Sequence, residues 1–287
     1  MTRSGDILLH LTERLRSAGV EQARLDARLL LAYALGVSGT DVFSHPERVL
    51  SADDEERVLT VAERRIRREP MSHILGRREF WSMDFKVTAD TLDPRPDTET
   101  LVEAVLERID DRQAPLDLLD LGTGTGCILL ALLSELPTAS GVGVDGSLAA
   151  LAVARENART HGLSHRAGFV LGDWGRGIER RFDIILSNPP YIPDDDIDGL
   201  EAEVALFEPR TALAGGPDGL DCYRALAPDV FRLLKPGGFA ALEVGKGQAE
   251  AVGSILAQSG LDPLAVRRDL AGVDRCVMTA RPPLEKK

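Results

Sequence analysis

Apolar positions recur every three or four residues through the first quarter of the chain. Ile7, Leu8, Leu11 and Leu15 mark one amphipathic helix between a candidate Ser4 cap and Gly19, and Leu25, Leu29, Ala32 and Leu35 mark a second that stops before Gly36. A third is expected from a Ser51 cap through Val58, Leu59 and Ala62 to about Arg68, where Pro70 ends it. Near residue 81 the period changes to two. Trp81, Met83, Phe85 and Val87 alternate with Ser82, Asp84, Lys86 and Thr88, as in a half-buried strand of a β-hairpin. The prolines at 94 and 96 then punctuate the chain, and Asp97 or Thr98 can cap a helix through Leu101, Val102, Val105 and Leu106.

From Leu116 strands alternate with helices: strands at 116–121, 141–145, 167–171, 182–186 and 239–244, and helices at 126–135 and 148–159. This βαβ rhythm predicts an α/β fold with a doubly wound, mostly parallel sheet. Residues 234–239 read as a helix-to-strand turn because of their Pro-Gly-Gly. Three parts are expected: a helical bundle at 1–70, a β-hairpin linker at 71–95 and the α/β domain at 96–287.

Open α/β sheets bind ligands at the carboxyl ends of their strands, and here those ends carry chemistry. After 116–121 comes Gly122-Thr123-Gly124-Thr125-Gly126, where glycines let a ligand approach the backbone. Position 127 is Cys where a dinucleotide fingerprint needs Gly, which favours a nucleoside ligand without a pyrophosphate. Asp145 closes the next strand at the position of an acid that binds ribose hydroxyls. Asp173-Trp174 follows the third and can offer adenine a carboxylate and a ring; a turn Asp beside a core-edge Trp is the other reading. After 182–186 stands Ser187-Asn188-Pro189-Pro190-Tyr191. The Asn188 oxygen and the carbonyl ahead of Pro189 or Pro190 can accept both hydrogens of a planar NH2 group while Tyr191 covers its face. Taken alone, the stretch is also compatible with a proline-stiffened strand exit.

Composition narrows the classes. Residues 91–287 hold 20 Lys/Arg against 31 Asp/Glu, while residues 1–90 hold 14 against 15, so the net charge of −12 sits almost wholly in the α/β domain. That balance argues against a duplex-binding enzyme. The one basic cluster, Arg64, Arg65, Arg67 and Arg68, with Arg77-Arg78 soon after, reads as a solvated helix face, contact with an acidic or nucleic-acid-like partner being the other reading. Cys127, Cys222 and Cys276 are scattered without metal-ligand spacing, and the five histidines form no constellation, so reduced thiols and no metal are expected. No run is long and apolar enough to span a bilayer, and the first residues lack the apolar stretch of a secretion signal, so a cytoplasmic protein is expected.

The DLGTGTG loop, the acid after the second strand and the NPPY motif together resemble class I S-adenosylmethionine-dependent methyltransferases. More narrowly, the chain is similar to the protein-(glutamine-N5) methyltransferases of peptide chain release factors, the HemK type. Asp26–Leu30, Leu75–Phe80, Pro94–Glu99, Ser187–Pro193, Glu208-Pro209-Arg210, Gly215–Asp221 and Asp269–Gly272 carry that likeness over nearly the whole length. Asp93 stands where the family usually has an apolar residue, and Met71-Ser72-His73 replaces a segment that often ends in Tyr. The resemblance implies a seven-stranded Rossmann-like domain and S-adenosyl-L-methionine as cofactor, cradled by Gly122, Thr123, Gly124, Thr125 and Gly126, bound through Asp145 and bordered by Asp173, Trp174 and Asn188. It also implies that Asn188, Pro189, Pro190 and Tyr191 hold the glutamine of the release-factor GGQ motif. The helical bundle becomes a release-factor-recognition domain, and a monomer without direct nucleic-acid or membrane contact is expected. Another protein glutamine, in a ribosomal protein, or an exocyclic amino group of a nucleic acid stays open as acceptor. So does a non-catalytic nucleotide-binding or scaffold role.

Overall fold

The computed structural model describes residues 2–283. The chain divides into two compact units. One runs to Arg77 and also takes in Glu201–Phe207; the other comprises Arg78–Leu200 and the residues from Glu208 onward.

The first unit contains α1 (Ser4–Ser17), α2 (Ala23–Leu35), α3 (Gly39–Ser44), α4 (Ala52–Ile66) and α5 (Met71–Leu75). Three of these are the expected helices; the two short ones lacked enough turns to show a period. Ser51 caps α4 in a capping box, its Oγ accepting the Asp54 N–H at 3.1 Å while Asp54 accepts the Ser51 N–H at 3.1 Å, worth about 1 kcal/mol. Ser4 is not the expected cap. It opens α1 after Arg3, and its hydroxyl donates to the His45 carbonyl at 3.0 Å. The buried face of α2 is also rotated from the expected one. Leu25 is exposed, while Ala23, Asp26, Ala27, Leu30 and Leu31 join the expected Ala32 in the interior.

Asp26 can be buried because Arg65 from α4 meets it at 2.7 Å. Arg65 also reaches Glu203 at 2.9 Å, Arg68 reaches Glu203 at 2.5 Å, and Arg64 pairs with Glu69 at 2.5 Å. Three of the four arginines are therefore not a solvated face: Arg64, Arg65 and Arg68 are paired inside their own unit, with Arg65 itself buried, while Arg67 is exposed as expected. Apart from Glu69, five residues from Arg64, the partners come from distant parts of the chain, out of reach of local charge patterning. Among them is Glu203 on α9 (Ala202–Phe207), which belongs to this unit although its neighbours in sequence belong to the other.

From Arg78 the second unit opens with a two-stranded hairpin, β1 (Arg77–Phe80, its first residue still counted in the first unit) and β2 (Met83–Lys86). Trp81 and Ser82 form its turn with φ of 53° and 55°, the left-handed pair that matches hairpin twist. Trp81 is therefore a turn residue and not the strand residue its alternation suggested. Its indole donates to Glu135 at 3.1 Å.

The main sheet has seven strands in the order β5-β4-β3-β6-β7-β9-β8, alternating with helices along the chain: α6 (Glu99–Arg108), β3 (Asp117–Leu121), α7 (Cys127–Glu135), β4 (Ser140–Asp145), α8 (Leu148–Thr160), β5 (Ala167–Leu171), β6 (Phe182–Ser187), α10 (Asp221–Leu233), β7 (Leu234–Glu243), α11 (Ala249–Gln258), β8 (Asp262–Arg268) and β9 (Asp274–Ala280). The first five strands in that order pair in parallel; β9 lies antiparallel between β7 and β8. The segment 234–239, expected as a turn, is the start of β7, with a register shift against β6 near Ile184. Alternate residues feed two cores. Leu118, Ile184 and Leu186 pack with α6, α7 and α8, while Leu119, Leu121 and Ile185 pack with α10 and α11. Helix α7, apolar all round, is buried from Cys127 to Leu133.

Candidate active site

The strand order reverses between β3, which pairs with β4 on one side, and β6 on the other. A cavity of about 650 Å³ opens at the carboxyl ends of these strands. Of the residues singled out from sequence, Gly122, Thr123, Gly124, Thr125, Asp145, Asp173, Trp174, Asn188 and Pro190 line it. Gly126, Pro189 and Tyr191 are not on its wall. Gly126, at φ 80°, caps α7 from below, where an added Cβ would lie 3.3 Å from Ala154.

The loop after β3 is held from within. Gly122 and Gly124 take φ of 77° and 54°, which disfavour any residue with a Cβ. Both Asp145 oxygens accept backbone N–H groups, Oδ2 from Gly124 at 2.8 Å and Oδ1 from Ser147 at 2.8 Å, so this acid shapes the loop as well as facing the cavity. Asp120, not singled out from sequence, lies fully buried beneath it. Oδ2 accepts the Thr123 hydroxyl at 2.6 Å, Oδ1 has no partner among the described residues, and burial pushes the carboxyl up to about 7. Trp174 sits at φ 49°, a strained conformation for a bulky residue, with Cζ3 3.5 Å from where a Gly122 Cβ would be. Asp173 is mostly exposed and pairs with Arg176 at 3.2 Å.

At the end of β6, Ser187 donates to the Leu121 carbonyl at 2.7 Å, tying the motif's base to β3. The Asn188 amide donates to the Thr98 hydroxyl at 3.4 Å. Tyr191 is mostly buried, its hydroxyl 3.4 Å from Glu243 Oε1, and burial raises its pKa above the usual range. Its carbonyl accepts from Gln248 at 2.9 Å. Residues 90–95, Thr98 and several residues between 209 and 214 also line the wall. Arg95, itself on the wall, meets the buried Glu208 behind it at 2.5 Å, and burial pushes Glu208 up to about 7 against that pairing. Linker residues 90–95 and Pro209 thus line the site, with Glu208 behind them, a role that spacing alone did not reveal. No cluster of three or more metal-ligating side chains occurs among the described residues, and no helix there is long and apolar enough to cross a membrane.

A seven-stranded sheet in this order, with a glycine turn after β3, an acid ending β4 and an amide–proline corner after β6, defines a class I methyltransferase. A solved methyltransferase from Pyrococcus furiosus shares the fold, with a TM-score of 0.52 at 16% identity over 70% of this chain and 89% of that one. Two family models match, the PrmC N-terminal domain over residues 6–76 and the methyltransferase small domain over residues 90–211. The release factor glutamine methyltransferase of Caulobacter vibrioides is 47% identical over 95% of this chain and 94% of its own length. That of Rhodospirillum rubrum is 51% identical over 93% and 82%. The chain belongs to the release factor glutamine methyltransferase family.

Proposed function

We propose that the protein transfers a methyl group from S-adenosyl-L-methionine to the side-chain amide nitrogen, N5, of the glutamine in the GGQ motif of class 1 peptide chain release factors. The observation that carries this reading is that Asn188 and Pro190 share one cavity with the glycine loop and Asp145. The wall fits such a cofactor. Its volume suits a nucleoside with an amino-acid tail, Gly122 and Gly124 leave the backbone bare, and an orphaned carboxylate oxygen of Asp120 lies beneath. Gly122 to Gly126 would hold the methionyl part, Asp145 the ribose hydroxyls, and Asp173 and Trp174 the adenine.

When bound, the cofactor supplies an electrophilic methyl group on a sulfonium. The protein's task is the nucleophile. An amide nitrogen shares its lone pair with the carbonyl, and no ordinary side chain is basic enough to deprotonate it. Positioning and electrostatics therefore carry the rate. The Asn188 oxygen would accept one N–H. Because Gln248 takes the Tyr191 carbonyl, a carbonyl ahead of Pro189 or Pro190 would accept the other. Both bonds strengthen as positive charge develops on the nitrogen, and Tyr191 would buttress the corner.

The helical part at 1–70 has no catalytic constellation and reads as the release-factor-recognition domain, collecting binding energy away from the reacting nitrogen. Incubation with isotopically labelled cofactor and an intact release factor, followed by mass-spectrometric mapping, should place the label on the GGQ glutamine. A short GGQ peptide should be a far poorer substrate. Label on a ribosomal protein or a nucleic acid, with none on the factor, would refute the assignment.

A further inference from the structure

Three loops meet behind the Asn-Pro-Pro-Tyr corner, and one side chain joins them. Gln248 stands just before α11, in the turn that leaves β7. Its Oε1 accepts the Gly245 N–H at 2.9 Å, and its Nε2 donates to the Tyr191 carbonyl at 2.9 Å and to the Gly219 carbonyl at 3.4 Å. A backbone N–H can only donate and a carbonyl can only accept, so these partners admit a single orientation of the amide. The fit is close. Gly219 takes φ of 74°, and a Cβ there would collide with the Tyr191 oxygen, while a Cβ at Gly215 would lie 2.9 Å from the Pro190 oxygen. The same stretch holds Ile192 on both sides: its N–H donates to the Leu213 carbonyl at 3.0 Å and its own carbonyl accepts from Gly215 at 2.8 Å. Gln248 itself is not on the cavity wall.

We propose that Gln248 is a positioning residue for methyl transfer, an inference that rests on the amide-clamp reading above. Asn188-Pro189-Pro190 is strung between two fixed ends, Ser187 bound to the Leu121 carbonyl on one side and Tyr191-Ile192 bound to Gln248 and the 213–219 stretch on the other. The prolines between them have no N–H with which to anchor the chain. The carbonyls of Asn188 and Pro189 take no hydrogen bond among the described residues, whereas that of Tyr191 is occupied and that of Pro190 faces Gly215. Gln248 thereby leaves only the two carbonyls ahead of the prolines to accept the second N–H, and by pinning the far end it sets where that acceptor stands. Without it the Tyr191 peptide unit could turn, and the rigid prolines would carry the acceptor with it. The Gly215–Asp221 stretch, noted from sequence, gains a role as the surface that receives the Pro190 and Tyr191 carbonyls.

The test compares Gln248→Glu, Gln248→Met and Asn188→Ala in the full-length enzyme with intact release factor as substrate. Gln248→Glu keeps the length of the side chain and the acceptor for Gly245 but loses both donors. Gln248→Met keeps the length and loses all three bonds. Both should lower kcat about tenfold or more, because the acceptor is displaced from the reacting nitrogen, while cofactor Kd and KM for the factor stay within about twofold of wild type. Wild-type kcat in either Gln248 variant would overturn the proposal; in Gln248→Glu it would show that only the Gly245 turn needs the side chain. A loss of cofactor affinity that matches the loss of kcat would also overturn it, since Gln248 would then support the fold and not the corner. Wild-type kcat in Asn188→Ala, beside a loss in Gln248→Glu, would instead overturn the clamp reading.

Discussion

Replacing Asp145 separates its two tasks. Its oxygens already accept the N–H groups of Gly124 and Ser147, each at 2.8 Å, and the remaining lone pairs are those offered to ribose. Hydrogen bonds to a charged acceptor contribute about 1.5–3 kcal/mol each. Asp145→Ala removes the ribose bonds and loosens the loop, so the affinity for S-adenosylmethionine should drop by about 2–4 kcal/mol, roughly 30- to 1000-fold. Titration calorimetry reads the loss directly, with circular dichroism to confirm the fold. A 2′-deoxyribose analogue of the cofactor divides it further. The wild-type protein should prefer the parent compound, whereas Asp145→Ala should bind the two about equally, because the partner of the missing hydroxyl has gone. If the folded variant discriminates between them as well as wild type does, Asp145 is a loop scaffold and not the ribose ligand.

Asn188→Ala should leave cofactor affinity within a few fold and lower methyl transfer roughly a hundredfold, since the lost bond matters most at the transition state; near wild-type turnover would refute the clamp. Burial raises Asp120, Glu208 and Glu243 each to about 7, so between the ordinary carboxylate range and pH 7 the folded protein holds more protons than the unfolded chain. The stability of the cofactor-free protein is then greater below that window and is lost as pH rises through about 7, by up to about 1.4 kcal/mol per pH unit for each group. Melting curves should show Tm rising from pH 7.5 to 5.5, and a steady fall on acidification would contradict the assignment. Arg65→Met strands the buried Asp26 and should cost about 3–5 kcal/mol in chemical denaturation; a shift below about 1 kcal/mol would mean that this charge is effectively solvated.

Long periodic segments were legible because their pattern is set by what they pack against. β5 matches its expected span, and the parallel strands leading to the site were placed within a few residues. The glycine loop, Asp145 and Asn188 were legible because strand ends are where such sheets bind ligands, and the cavity gathers them. What stayed hidden depends on partners far away in sequence. Glu203 lies 138 positions from Arg65, and Glu208 lies 113 from Arg95. Nothing in the local pattern marks Glu243 as anything but an odd residue in an apolar strand, or Thr98 as more than a cap candidate. Trp81 misled for the opposite reason: a tight left-handed turn keeps the alternation of the strands it joins.

Perturbed carboxyls commonly mark general acids and bases, and this protein has three near its cavity with pKa raised to about 7. The geometry gives them other work. Asp120 bonds the Thr123 hydroxyl under the glycine loop, Glu208 bonds Arg95 from behind the wall, and Glu243 faces Tyr191 beneath the amide corner. None of the three lines the cavity, and a group poised near 7 is far too weak a base to deprotonate an amide beforehand. Each instead receives a proton donor from a residue that does line it, or that belongs to the motif, and so restrains that residue's orientation. A reaction whose nucleophile cannot be activated by deprotonation depends on how accurately its nitrogen is held. Buried acceptors supply that accuracy because they are dry, rigid and costly to leave unpaired.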